Sequence, residues 1–165
     1  MLAATAIAAA SLTSCTPRYD WREIHGSEAP YTVLMPLKPA SHARAVNLGG
    51  TEVTMTMTAA EVDGAMFAVG TAAMPDAAAA AKALAAMKTA LVRNIGGTVT
   101  AEKAASALRS STIDFEAAGN GTPKRLLYAR LVAMDARVYQ VVAIGTEKSL
   151  PREAVDTFFT SFKLN

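Results

Sequence analysis

The order of elements along this chain predicts an α+β fold: an antiparallel sheet of about six to seven strands with two main helices packed on it. Three observations carry that prediction. Thr51 to Thr58 alternates strictly, with Val53, Met55 and Met57 facing one way and Glu52, Thr54, Thr56 and Thr58 the other. A period of two means a strand with one buried and one wet face. Leu84, Met87, Leu91 and Ile95 then recur at three- and four-residue steps, the apolar stripe of an amphipathic helix. A second such stripe, Val155, Phe158, Phe159 and Phe162, closes the chain.

The remaining elements follow in order. Tyr31 to Pro36 is a short β run, closed by Pro36 and Pro39. After the Thr51–Thr58 strand, Asp63-Gly64 is a hairpin turn, and Met66 to Ala72 returns as the next strand. Pro75-Asp76 opens the first helix, with Asp76 as the N-cap of the Ala-rich run from Ala77. Lys82, Lys88 and Arg93 lie off the apolar stripe, and Gly96-Gly97 ends the helix. Four strands follow: Thr98–Glu102, Thr112–Ala117, Arg125–Met134 and Arg137–Gly145, the last two a tight hairpin across Asp135-Ala136. Asn120-Gly121 is a further turn signal. The second helix runs from about Pro151 to Phe162, and Pro151 suits its first turn.

The first fifteen residues carry a different message. Met1 to Ser11 is an uncharged, Ala-rich apolar run leading into Leu12-Thr13-Ser14-Cys15. An aliphatic residue, two small residues and a cysteine match a lipobox, where the thiol takes a diacylglyceryl group as a thioether. Residues 1–14 then read as a lipoprotein signal peptide, 15–30 as the lipidated N-terminus and tether, and 31–165 as the folded domain. Acyl chains on Cys15 anchor the protein, each buried methylene adding about 0.8 kcal/mol of membrane affinity. Thr16, in place of an aspartate, favours the outer over the inner membrane. The basic residue that ordinarily opens a signal peptide is missing from Met1-Leu2-Ala3, as it would be if translation began further upstream. The competing readings are an ordinary cleaved signal peptide and a cytosolic N-terminal helix. Length argues against a spanning helix: the apolar run is about fourteen residues, where roughly twenty are needed.

Cleavage before Cys15 leaves 151 residues (165 less the 14 removed), a usual single-domain size. A net charge of +2 without a basic run argues against nucleic-acid binding. One cysteine excludes an internal disulfide, and its lipidation leaves no thiol, which suits an oxidising compartment. Tyr19 and Trp21, within the tether, pack on the domain edge or meet a partner or lipid headgroups.

The opening Tyr31-Thr32-Val33-Leu34-Met35-Pro36, the central amphipathic helix, the strand Val138-Tyr139-Gln140-Val141-Val142 and the closing Phe158-Phe159-Thr160-Ser161-Phe162-Lys163-Leu164 resemble small bacterial lipoproteins of the PsbP-like kind. The resemblance covers roughly residues 31–164. It implies an antiparallel sheet flanked by helices, and a non-enzymatic binding, accessory or assembly role.

Chemistry-bearing motifs are few. His25 and His42 fall in segments read as loops, with no ligand at metal-binding spacing. Nucleophile-elbow, phosphate-loop and dinucleotide signatures do not occur. No catalytic, metal or cofactor residue is assigned, and no cofactor is expected. The suggestive cluster is basic. Arg130 and Arg137 stand seven apart across a two-residue turn, with Tyr128 and Tyr139 on the same strands and Lys124 and Arg125 nearby. Such an Arg and Tyr patch suits an anionic ligand or a partner's carboxylates; the plainer reading is a solvated sheet face with cross-strand pairs. The eight methionines read as core filler. The reading as a whole is a lipid-anchored, non-catalytic envelope protein facing the periplasm, attached to the membrane through Cys15 and meeting an envelope protein partner. The alternatives are a purely structural lipoprotein and a periplasmic hydrolase with an unrecognised site.

Overall fold

A computed structural model describes residues 18–165. Residues 1–17, which hold the expected signal peptide and Cys15, lie outside the described residues. The elements are β1 (Arg22–His25), β2 (Tyr31–Met35), β3 (Ala40–Leu48), β4 (Thr51–Val62), β5 (Ala65–Ala73), α1 (Ala77–Asn94), β6 (Gly97–Ser106), β7 (Ser110–Gly119), β8 (Arg125–Met134), β9 (Arg137–Thr146), α2 (Arg152–Ser161) and β10 (Lys163–Leu164). They form an α+β fold with two antiparallel sheets. The main sheet has seven strands in the order β3-β4-β5-β9-β8-β7-β6, and the small one has three, β1-β2-β10.

The main sheet carries a core on each face. Helix α1 covers one face, burying Ala80, Ala83, Leu84, Met87 and Leu91 against Met55, Ala68, Leu127, Leu131 and Val142. The small sheet and α2 cover the other, where Val33, Met35, Val155 and Phe158 meet Phe67, Val69, Tyr139 and Val141. The Phe67 and Phe158 rings stand edge to face, 5.4 Å apart.

Local chemistry explains the main elements. Met55 is buried under α1 with Val53 and Met57 packed beside it, the alternation the sequence predicts. Gly70 lies opposite Met57, and a methyl group at Gly70 would collide with the Met57 sulfur. Asp63 and Gly64 take positive φ of 50° and 81°, as a type I′ hairpin turn requires. Asp76 caps α1: its Oδ1 accepts the Ala79 N–H at 2.7 Å. Gly96, at φ 58°, ends that helix. α2 starts after Pro151 and buries Ala154, Val155 and Phe158.

Four expectations need correction. The expected tether contains β1, whose four residues pair with β2; Tyr19 and Trp21, within it, pack against the second core as the first of the two readings has it, with their rings stacked at 5.5 Å. His25 and His42 are strand residues, on β1 and β3, rather than loop residues. Tyr31–Met35 belongs to the small sheet, and the seventh strand of the main sheet is β3. Pro36 and Pro39 account for the break: neither supplies an N–H, so the ladder stops and the chain crosses to the other sheet. The strand expected at Thr98–Glu102 is also longer, running from Gly97 to Ser106.

Candidate functional site

The small sheet and α2 do not reach the β6 side of the second face. A trough of about 390 Å³ is left between α2 and strands β6, β7 and β8. Its apolar lining includes Val155 and Phe159, with the Tyr128 ring beside them.

Charged groups on this lining are arranged in pairs. Asp114 stands directly opposite Arg130 across the β7–β8 ladder, and the two meet through parallel bonds, Nε to Oδ1 at 2.8 Å and Nη2 to Oδ2 at 3.0 Å. That bidentate contact raises the Arg130 pKa despite its partial burial. Arg152, in the first turn of α2, donates to Glu116 Oε1 at 2.8 Å and to Asp156 Oδ1, one turn on, at 3.1 Å. Its guanidinium lies 5.2 Å from the Tyr128 ring centre. The Glu116 hydrogen bond is the main cause of its raised pKa. Lys103 on β6 is opposite Asp114 from the other side, so Asp114 sits between two cations in the ladder. Lys103 itself has no carboxylate within ion-pair distance among the described residues.

The four residues of the expected Arg and Tyr patch share one sheet face, but they open into different places. Tyr128 and Arg130 line the trough. Arg137 and Tyr139 line a separate recess near the β8–β9 turn, beside Pro30, Asn165 and the Arg109–Asp135 pair. The Tyr139 ring is buried against Tyr31 and Phe162, at centroid distances of 6.5 and 6.3 Å. Burial is the main cause of its raised pKa. Arg109, from the β6–β7 connection, grips Asp135 of the β8–β9 turn through two bonds of 2.8 and 2.7 Å, and holds that carboxyl below its usual range. Arg130 lines up with Val141, four residues along β9 from Arg137; at about 3.3 Å per residue, the two guanidinium-bearing positions are roughly 13 Å apart along the strand.

Sequence reasoning missed Asp114, Glu116, Lys103 and Arg152 as members of this site. The i,i+4 spacing of Arg152 and Asp156 was readable. The β7–β8 register was not, because the connecting loop is too long to fix it.

Chemically, the trough is an apolar floor between balanced charges. Two arginines are committed to three carboxylates, and a lysine stands at the rim. His25 is exposed and lies 3.2 Å from Glu23 on its own strand. No hydroxyl–histidine hydrogen bond and no cluster of three or more His, Cys, Asp or Glu suited to a metal ion occurs among the described residues. No described helix is long and apolar enough to cross a membrane. No protein-family model matches the chain, and no curated protein sequence matches it.

Proposed function

We propose that this chain is a lipid-anchored, non-catalytic protein of the cell envelope, held at the periplasmic face of the outer membrane through Cys15. Its folded part, a PsbP-like α+β domain, binds or helps to assemble a neighbouring envelope protein. The observation that carries the reading is Leu12-Thr13-Ser14-Cys15 after an apolar run, with the packed domain starting within a few residues. Arg18 is already fastened to it, through Asp63 at 2.9 Å and the Ser149 carbonyl at 3.0 Å. An anchor this close to the fold suits a protein that works next to the lipid surface.

The trough beside α2 is the surface offered to a partner. Tyr128 and Phe159 offer rigid aromatic area, and Lys103 and Arg152 give polar points at its edges. A spacer role is the second reading. It is favoured by the pairing of Arg130 and Arg152 with carboxylates of the same chain, which leaves those guanidiniums little capacity for a ligand.

The intact mass of protein extracted from its native membrane tests the anchor. The expected result is a chain starting at Cys15 with added acyl mass, lost in a Cys15→Ser variant. An unmodified chain retaining residues 1–14 overturns it. Cross-linking in cells separates the two roles. One specific partner, lost on Phe159→Glu, supports binding; no partner over many conditions supports the spacer.

A further inference from the structure

The point at which the chain enters the fold also fixes which end of the sheet faces the membrane. Arg18 is clamped at one end of the main sheet, against the β4–β5 turn at Asp63 and the β9–α2 loop at Ser149, with its guanidinium 5.3 Å from the Tyr19 ring centre. Cys15 precedes it by three residues, a reach of roughly 10 Å at full extension. If Cys15 bears acyl chains, this end lies against the headgroups, and the β3–β4 and β8–β9 turns point away.

Four unpaired cations lie at the same end. Arg125 opens β8 opposite Thr146, next to the Ser149 turn, and Lys124 precedes it. Lys148 lies in the β9–α2 loop. Arg93 is in the last turn of α1, whose end lies here beside the β7–β8 loop, where the Asn120 N–H donates to the Gly96 carbonyl at 3.1 Å. All four are exposed, and none has a carboxylate within ion-pair distance among the described residues. Glu61, Glu147 and Glu153, in the first turn of α2, are exposed carboxylates nearby, and Asp63 is taken by Arg18. At the opposite end Arg109 is neutralised by Asp135, and the unpaired cations among the described residues there are Lys82 and Arg137.

We propose that this end, through Arg93, Lys124, Arg125 and Lys148, docks on an anionic phospholipid surface and sets the orientation of the tethered domain. The inference rests on the lipid-anchor reading. A bilayer carrying anionic lipid attracts each nearby cation, and the attraction fades within a Debye length. A short anchor keeps these side chains inside that range.

Lysine footprinting with a water-soluble acylating reagent tests it. The full-length lipidated protein, its acyl mass confirmed first, is placed in phosphatidylethanolamine vesicles with and without phosphatidylglycerol. Lys124 and Lys148 are expected to label about fivefold more slowly in the anionic vesicles. Lys82, beside the β3–β4 turn at Gly49, is expected to label equally in both. High salt, or a double Arg93→Glu, Arg125→Glu variant, is expected to restore the faster labelling. Equal labelling of Lys124 and Lys148 in the two vesicles, or equal slowing of Lys82, overturns the orientation while leaving the anchor intact. A protein without acyl mass overturns the anchor and the orientation together.

Discussion

The two faces of the main sheet are built from different residues. The α1 face is aliphatic: Ala68, Ala72, Ala80, Ala83, Ala117, Ala129 and Ala133 are buried there, and Phe115 is its sole aromatic side chain among the described residues. The opposite face holds nine of the ten aromatics, from Tyr19 and Trp21 to Phe162. The contrast follows from what covers each face. An eighteen-residue helix supplies a long continuous stripe, so small side chains suffice, and they let the helix lie close to the sheet. A ten-residue helix and three short strands supply little length. Large rings make up the contact area, and where they stop, the trough begins.

The largest expected effect tests the aromatic side. Phe158 is fully buried and touches both Phe67 and Phe159. Phe158→Ala should cost about 3–5 kcal/mol in denaturant unfolding. A loss under about 1 kcal/mol would mean that α2 adds little to the fold, and the contrast would fail.

Overpacking tests the aliphatic side. Ala83 has no exposed surface, so Ala83→Leu should force α1 off the sheet and cost about 1–3 kcal/mol. A neutral result would show slack under the helix and remove the explanation for its alanines.

Loss of the α1 cap is a smaller matter. Asp76→Ala should cost about 1 kcal/mol by leaving the Ala79 N–H without its partner, and Asp76→Asn should recover most of it. Thermal unfolding of the two variants separates capping from charge.

The smallest effect is confined to alkaline pH and to the aromatic face. Tyr19, Tyr31 and Tyr139 all have pKa values raised above 10.0, each chiefly by burial. An acid whose folded pKa is raised stabilises the fold fully below the unfolded pKa and loses that contribution as pH climbs through the folded one. Stability should therefore hold up to about pH 10 and decline above it. Tyr139→Phe should flatten the decline with little change at neutral pH; an unchanged alkaline slope would place the titration elsewhere.

The same contrast separates what could be read in the sequence from what could not. Strands β4, β5, β8 and β9 each have a buried face, and their alternation and turn residues put them within a few residues of their observed bounds. Strands β1, β3 and β6 escaped or were cut short. Arg22–His25 is mostly exposed, and β3 and β6 lie at the two sheet edges. β6 is exposed along nearly all its length. A strand wet on both sides leaves no period-two signature. The trough was legible only in part. Tyr128 and Arg130 stood out, but their partners Arg152 and Asp114 come from elements whose register depends on loops and on where α2 comes to rest. The separation of Arg137 from Arg130, by contrast, was readable, because the two-residue turn at Asp135-Ala136 fixes the β8–β9 register.

Those outer strands have a consequence for crowding. β3 and β6 run nine and ten residues and present unsatisfied ladder groups outward, the geometry by which copies of a protein polymerise side by side. Each is blunted. β6 shifts register between Val99 and Ala101 and carries Lys103 on the trough side; β3 carries Arg44 and His42. A bulge on one border and charged side chains on both resist growth of a continuous ribbon. Copies confined to a plane at high density would then remain separate units, free to diffuse past one another.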